Sequence, residues 1–150
     1  MLLTLVGGDG RVLCARCRLA DTPMARVKGL LGRRGLAEDE GLLLATGAIH
    51  TSFMQFPIDV AFLDRNFVVL RLIRSLKPWR IGWARNAHAV VELPAGALER
   101  VGLHVGEQMS LVRHAPIVVE TEKGSDASAN DTLRVVVASA DSRFLRVARF

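Results

Sequence analysis

Alternation of apolar and polar positions runs through most of this chain and predicts strands far more often than helices. Residues 2–6 (LLTLV) and 11–20 (RVLCARCRLA) flank Gly7-Gly8-Asp9-Gly10, whose small residues suit a hairpin turn. Further strands are predicted at 41–46 (GLLLAT), 49–54 (IHTSFM), 58–63 (IDVAFL), 67–76 (FVVLRLIRSL), 87–93 (AHAVVEL) and 108–114 (QMSLVRH). Pro57 and the pair Arg65-Asn66 punctuate the series, and KPWRIGWARN (77–86) reads as a loop holding two tryptophans.

Between 21 and 35 the period changes. Asp21 or Thr22 is a candidate N-cap, Pro23 suits the first helical position, and Met24, Val27, Leu30 and Leu31 fall at helical spacing. Gly29 lies inside this predicted helix at a cost of about 1 kcal/mol relative to Ala. Such a glycine points to close approach by another backbone or a ligand. A second short helix is expected over 94–103. Many short strands with two short helices predict a mainly β domain, either β-sandwich or jelly-roll-like or a partly open barrel.

The core domain is expected over 1–116, with a polar linker over 117–131 that includes ETEKGSDASAND. The last stretch, 132–150, reads as a Val-rich strand, a turn with Asp141 and the start of an amphipathic helix. It is weakly similar to the opening β-α unit of a response-regulator receiver, so a longer natural chain is expected. A length of 150 residues otherwise bounds the chain to one domain with a small appendage.

Half the residues are hydrophobic and 23% are charged, which excludes wholesale disorder. Mean hydropathy is +0.26, but no apolar run approaches the ~20 residues that span a bilayer. The N-terminus has neither a basic start nor a long enough apolar run for a signal peptide. A cytoplasmic protein with no membrane partner is expected. Net charge is +5, and Arg65, Arg71, Arg74, Lys77, Arg80 and Arg85 follow one another with no acid before Val91. That run could meet an anionic partner. With no nucleic-acid motif beside it, a solvated face is the heavier reading and nucleic acid is disfavoured.

Three ordered blocks resemble one family. ADTPMARVKGLLGRRGLAEDEGLLL is similar to its R-x-x-GL(L/M)-x-R signature, and IHTSFMQFPIDVAFLD to its Met…Pro-(I/L)-Asp-(V/I)-x-Phe-(L/I)-Asp block. VVELPAGALERVGLHVGEQM is similar to its closing E-L-x-A-G…G block. The family is that of domain of unknown function 192. The resemblance covers residues 20–113 and implies a compact, mainly β fold with small helices, and no activity. IHTSFM stands where many members carry a Trp-Met-Lys-Asn-like stretch, so a lysine-dependent role there would not carry over.

In IDVAFLD both strand faces are apolar, so this strand is expected to be central, with Asp59 beside core. A buried carboxylate must accept hydrogen bonds or meet a cation. Arg26 and Arg33 are the expected cations, weighed against a heavier alternative in which Asp59 holds structure or caps loop N–H groups. His50 is more often structural than a ligand. A metal set of His50, Asp59, His88 and Glu92 lacks HxH or HxxxH spacing and is disfavoured. Cys14 and Cys17, three apart on a strand, should face opposite ways and stay reduced. Trp79 and Trp83, interleaved with Lys77, Arg80 and Arg85, could stack on bases or hold an anionic ligand, but the heavier reading is of plugs folded over an apolar pocket.

The candidate binding residues are Arg26, Gly29, Arg33, His50, Thr51, Met54, Asp59, Trp79 and Glu92. They describe a binding module with a pocket for an anionic small molecule or a peptide terminus, calling for no cofactor and no metal. The alternatives are an accessory domain using the basic strip as contact surface, and an acid-base or metal-assisted enzyme. Oligomeric state is left open.

Overall fold

The computed structural model describes residues 2–20, 30 and 32–113. Positions 21–29 and 31 of the expected helix fall outside them, as do the linker and the receiver-like stretch, while the described positions 30 and 32–35 are turn and irregular backbone rather than helix. Nine strands and one short helix are described: β1 Leu2–Gly7, β2 Val12–Ala20, β3 Glu40–Leu44, β4 Ala48–His50, β5 Ile58–Leu63, β6 Val69–Leu76, β7 Ile81–Trp83, β8 Ala89–Pro94, α1 Ala97–Val101 and β9 Met109–Arg113.

Seven strands form one mixed sheet in the order β6-β5-β8-β3-β2-β1-β9, and β4 pairs with β7 in a separate two-stranded sheet. Only β2 and β3 run parallel; the other neighbours in both sheets are antiparallel. The large sheet curls until its edges touch at the single bridge Val68–Gln108, supported by Met109 N–H to Phe67 O at 2.9 Å and Val69 N–H to Glu107 O at 2.9 Å. It does not close into a barrel. The fold is mainly β, as the alternation predicts.

β5 lies between β6 and β8 and is buried at all six positions, as two apolar faces require. Its residues divide two cores by parity. Ala61 and Leu63 join Leu43, Val91, Leu93 and the helix residues Ala97 and Leu98 on one face. Ile58, Val60 and Phe62 join Leu42, Leu44, Val90, Ile49 and Met54 on the other. Each fully buried side chain of this size contributes about 1.5–3 kcal/mol.

The small sheet rides on the second face. Gly82 faces inward, where a Cβ would stand 3.2 Å from both Ile73 Cδ1 and Phe62 Cζ; at Gly47 a Cβ would stand 2.7 Å from Ala87 O. A side chain at Gly82 would hold the two-stranded sheet off the core, and one at Gly47 would push the chain entering β4 away from the Ala87 backbone. The strand expected at 49–54 stops at His50 because Phe53 takes a left-handed φ of 63° and Met54 N–H turns back to Thr51 O at 3.2 Å. β7 lies in the stretch read as a loop. Its three residues are too short to show a period.

Candidate functional site

Asp59 is fully buried, and among the described residues its partners are backbone N–H groups rather than Arg33. Oδ1 accepts the Ser75 N–H at 2.9 Å and Oδ2 accepts the Leu98 N–H at 2.9 Å. Ile58 pairs with Leu76 and Val60 with Ile73, so Arg74 and Ser75 both stand opposite Asp59. This bulge, with Ser75 at φ 49°, turns an N–H out of the ladder and into the carboxylate. The second oxygen serves the first turn of α1, whose N-cap Gly96 has no side chain to cap it. Arg33 instead pairs with Glu40, Nη2 to Oε2 at 3.0 Å. Arg26 and Gly29 lie outside the described residues. Asp59 fastens a bulge and a helix start to the central strand, in line with the heavier of the two readings.

Glu92 is buried as well, 5% exposed, but on the other face. It pairs with Val60 while Asp59 pairs with Leu93, so adjacent ladder positions send the two carboxyls to opposite sides. Apolar surroundings push the Glu92 carboxyl up to about 7, because burial penalises the anion.

His50 is exposed on the outer face of the small sheet. His88 is exposed just before β8 and accepts from Arg65 Nε at 3.1 Å. His50, Asp59 and Glu92 thus stand in three separate environments, and no pocket can hold His50 and Asp59 together. Among the described residues no group of three or more His, Cys, Asp and Glu side chains is placed to hold a metal. An open cleft of about 220 Å³ between β2 and α1, lined in part by Leu13, Ala15, Asp39 and Arg100, contains none of the candidate binding residues.

The parity expected of Cys14 and Cys17 is also corrected. Leu3 pairs with Cys17 and Leu5 with Cys14, two β1 steps against three on β2, and that bulge brings both cysteines to one face. Both are free and buried. The Cys17 thiol donates to Cys14, which pushes Cys17 up and, as its largest effect, holds Cys14 down, while Cys14 Sγ donates to Asp39 O at 3.4 Å.

Thr51, Met54 and Trp79 converge on one structure. Thr51 is fully buried: its hydroxyl donates to Lys77 O at 2.7 Å and accepts the Arg80 N–H at 2.9 Å. Its backbone N–H bonds Arg80 O at 2.9 Å, and its carbonyl accepts the Trp79 N–H at 3.0 Å. Met54, also buried, anchors the same turn in the second core. So braced, the 77–80 segment holds Trp79 outward at a left-handed φ of 60°. The tryptophans do not fold over a pocket. Trp79 and Trp83 are each 59% exposed, Phe53 69% and Ile81 75%.

These four side chains are exposed on or beside the small sheet. Ile81 pairs with His50 and Trp83 with Ala48 across the outer side of the small sheet. At its end the rings of Phe53 and Trp79 meet edge to face, centroids 4.6 Å apart and planes at 63°. Cations border the face. Arg71 Nη1 donates to Trp83 O at 2.6 Å, Arg80 Nη1 donates to Trp79 O at 3.0 Å, and Lys77 and Arg85 are exposed beside them in the chain. Sequence reasoning named Trp79 here but missed Phe53 and Ile81. The interleaving of the tryptophans with Lys77, Arg80 and Arg85 was the signal, set in the sequence reading below the alternative of a plug.

A small mainly β domain with an outward aromatic and basic face is the class these observations define. The chain belongs to the DUF192 family, an uncharacterised ACR family whose model matches residues 4–111. Among curated relatives it is similar to a UPF0127 protein of Pyrococcus horikoshii, 35% identical over 61% of this chain and 84% of that one. A second UPF0127 protein, of Pyrococcus furiosus, is 34% identical over 67% of this chain and 90% of the relative. Among solved structures it resembles a putative transcription regulator from Sinorhizobium meliloti, with TM-score 0.65 and 26% identity over 73% of this chain and 91% of that chain. A protein of unknown function from Novosphingobium aromaticivorans has the same fold, TM-score 0.63 at 24% identity, over 73% of this chain and 83% of its own.

Proposed function

We propose that the chain is a binding module whose contact surface is the outer face of the β4–β7 sheet, and that it receives an anionic, partly apolar peptide segment. One observation carries this reading: Phe53, Trp79, Ile81 and Trp83 all stand in solvent, the first two on the turn built around Thr51 and the other two on the outer side of β7. Exposed aromatics in one patch mark interaction sites, and aromatic side chains dominate such contacts energetically. Lys77, Arg80, Arg71 and Arg85 supply the charge that selects an anion. The left-handed φ values at Phe53 and Trp79 are costs that a surface used for binding would retain.

This keeps the anionic ligand of the sequence reading and moves it from an internal pocket to an outer face. His50, Thr51, Met54 and Trp79 remain in or under the site, while Asp59 and Glu92 leave it. An acid-base role has less support, because Asp59 is engaged by two backbone N–H groups.

Amide chemical-shift mapping with a short synthetic peptide alternating Glu with Leu and Phe tests the reading. Shifts are expected at residues 48–53 and 77–85. Shifts confined to the cleft between β2 and α1 would overturn it. A single-stranded oligonucleotide serves as counter-probe, since one structural relative is a putative transcription regulator. Stronger binding of that probe at the same face would replace the peptide with nucleic acid.

A further inference from the structure

The same face has a candidate occupant within this chain. Residues 120–131, ETEKGSDASAND, contain Glu120, Glu122, Asp126 and Asp131 against one cation, Lys123. Residues 65–91 contain six cations and no acid. The opposition is therefore between a segment of net charge −3 (one cation less four acids) and a strip of which Arg71, Lys77, Arg80 and Arg85 stand by the aromatic face. The other residues of the acidic segment are small or polar, so nothing bulky obstructs its approach to the rings.

Reach permits the contact. β9 ends at Arg113, and positions 120 to 131 lie 7 to 18 chain steps beyond it. An extended chain of that length spans about 23–65 Å. A domain of this size has a radius of gyration near 13 Å and is about 34 Å across, so the far end of the segment can reach either side of the sheet. Tethering also raises the effective concentration of such a segment to about the millimolar range, which makes even a weak ionic contact populated.

We infer that the acidic segment 120–131 docks on the basic aromatic face around Trp79 and Trp83 and competes there with an external anionic peptide. This rests on the binding reading above and adds its regulation: the chain carries its own competitor. Charge opposition makes the contact salt-sensitive, so the face opens as ionic strength rises or when a tighter ligand displaces the segment.

Trp79 and Trp83 are the chain's two tryptophans, so intrinsic fluorescence reads this face directly. The test compares the full chain with the full-length variant Glu120→Gln, Glu122→Gln, Asp126→Asn, Asp131→Asn. Acrylamide quenching is expected to be about twofold stronger in the variant at low salt, with the difference vanishing at high salt. Affinity for the synthetic Glu/Leu/Phe peptide is expected to rise about tenfold in the variant. Equal quenching and equal affinity in the two chains overturn the inference. If the peptide binds both chains equally, the surface reading survives that failure. If it binds neither, both readings fall together.

Discussion

Asp59 on β5 and Glu92 on β8 occupy adjacent ladder positions yet face opposite sides of the sheet, since Asp59 pairs with Leu93 and Glu92 with Val60. Two buried carboxyls so close in sequence register would suggest a shared proton or metal. Alternation in the strand forbids it, and each has its own consequence.

Asp59→Asn is expected to destabilise the fold by about 2–4 kcal/mol. The amide keeps one acceptor and turns a donor toward the second N–H, leaving a buried donor unsatisfied. Urea unfolding measures the loss. Peptide affinity of the folded variant is expected to be unchanged. A stable variant with lost affinity would return Asp59 to the binding site.

Glu92 predicts a pH dependence. Its carboxyl is pushed from 4.5 to about 7 by burial. Below pH 4.5 both the folded and unfolded chains hold the proton, and the fold bears no penalty. As pH rises from 4.5 to about 7 the unfolded chain releases its proton first, so stability falls, and above that range the loss is complete. The loss is on the order of 3 kcal/mol. Glu92→Gln removes this dependence, so it should gain on the wild type between pH 4.5 and pH 8 in paired denaturation curves. Parallel curves for the two chains would mean that the Glu92 carboxylate is stabilised as an anion.

Thr51→Val keeps the shape and removes the hydroxyl that bonds Lys77 O and the Arg80 N–H. A loss of about 1–3 kcal/mol is expected. Faster hydrogen exchange at Trp79 and Arg80 than elsewhere would place the effect in the turn that presents the aromatic face. Uniform acceleration across β5 and β8 would contradict that local role.

Gly82→Val pushes a side chain against Ile73 and Phe62, each already 3.2 Å from where a Cβ would stand. Overpacking of this kind costs about 1–3 kcal/mol. The small sheet should lift, with altered tryptophan emission and weaker peptide binding, while β5 and β8 keep their exchange protection. Unaltered emission would show that the small sheet is seated by other contacts.

How far the sequence disclosed this arrangement depends on how local each cause is. β5 was legible to its ends because both of its faces are apolar and Pro57 marks its start. The burial of Asp59 was legible for the same reason, but its partners were not. They are backbone N–H groups 16 and 39 residues away, one released by a bulge and the other by a helix that cannot cap itself. Cys14 and Cys17 were misassigned because the bulge that realigns them arises from pairing with Leu3 and Leu5, which period-two counting along β2 does not register. The tryptophans were expected to turn inward because aromatic residues usually do. The turn around Thr51 holds Trp79 out and the pairing of β7 with β4 holds Trp83 out, and that turn depends on hydrogen bonds between segments 26 and 29 residues apart.

The most direct test of the binding surface is the affinity of the wild-type chain and a Trp79→Ala, Trp83→Ala variant for the synthetic Glu/Leu/Phe peptide, by calorimetry at low salt with unfolding curves run alongside. The account predicts at least a tenfold loss of affinity, about 1.4 kcal/mol, with stability nearly unchanged because both rings stand largely in solvent. Equal affinity in the two chains would contradict it.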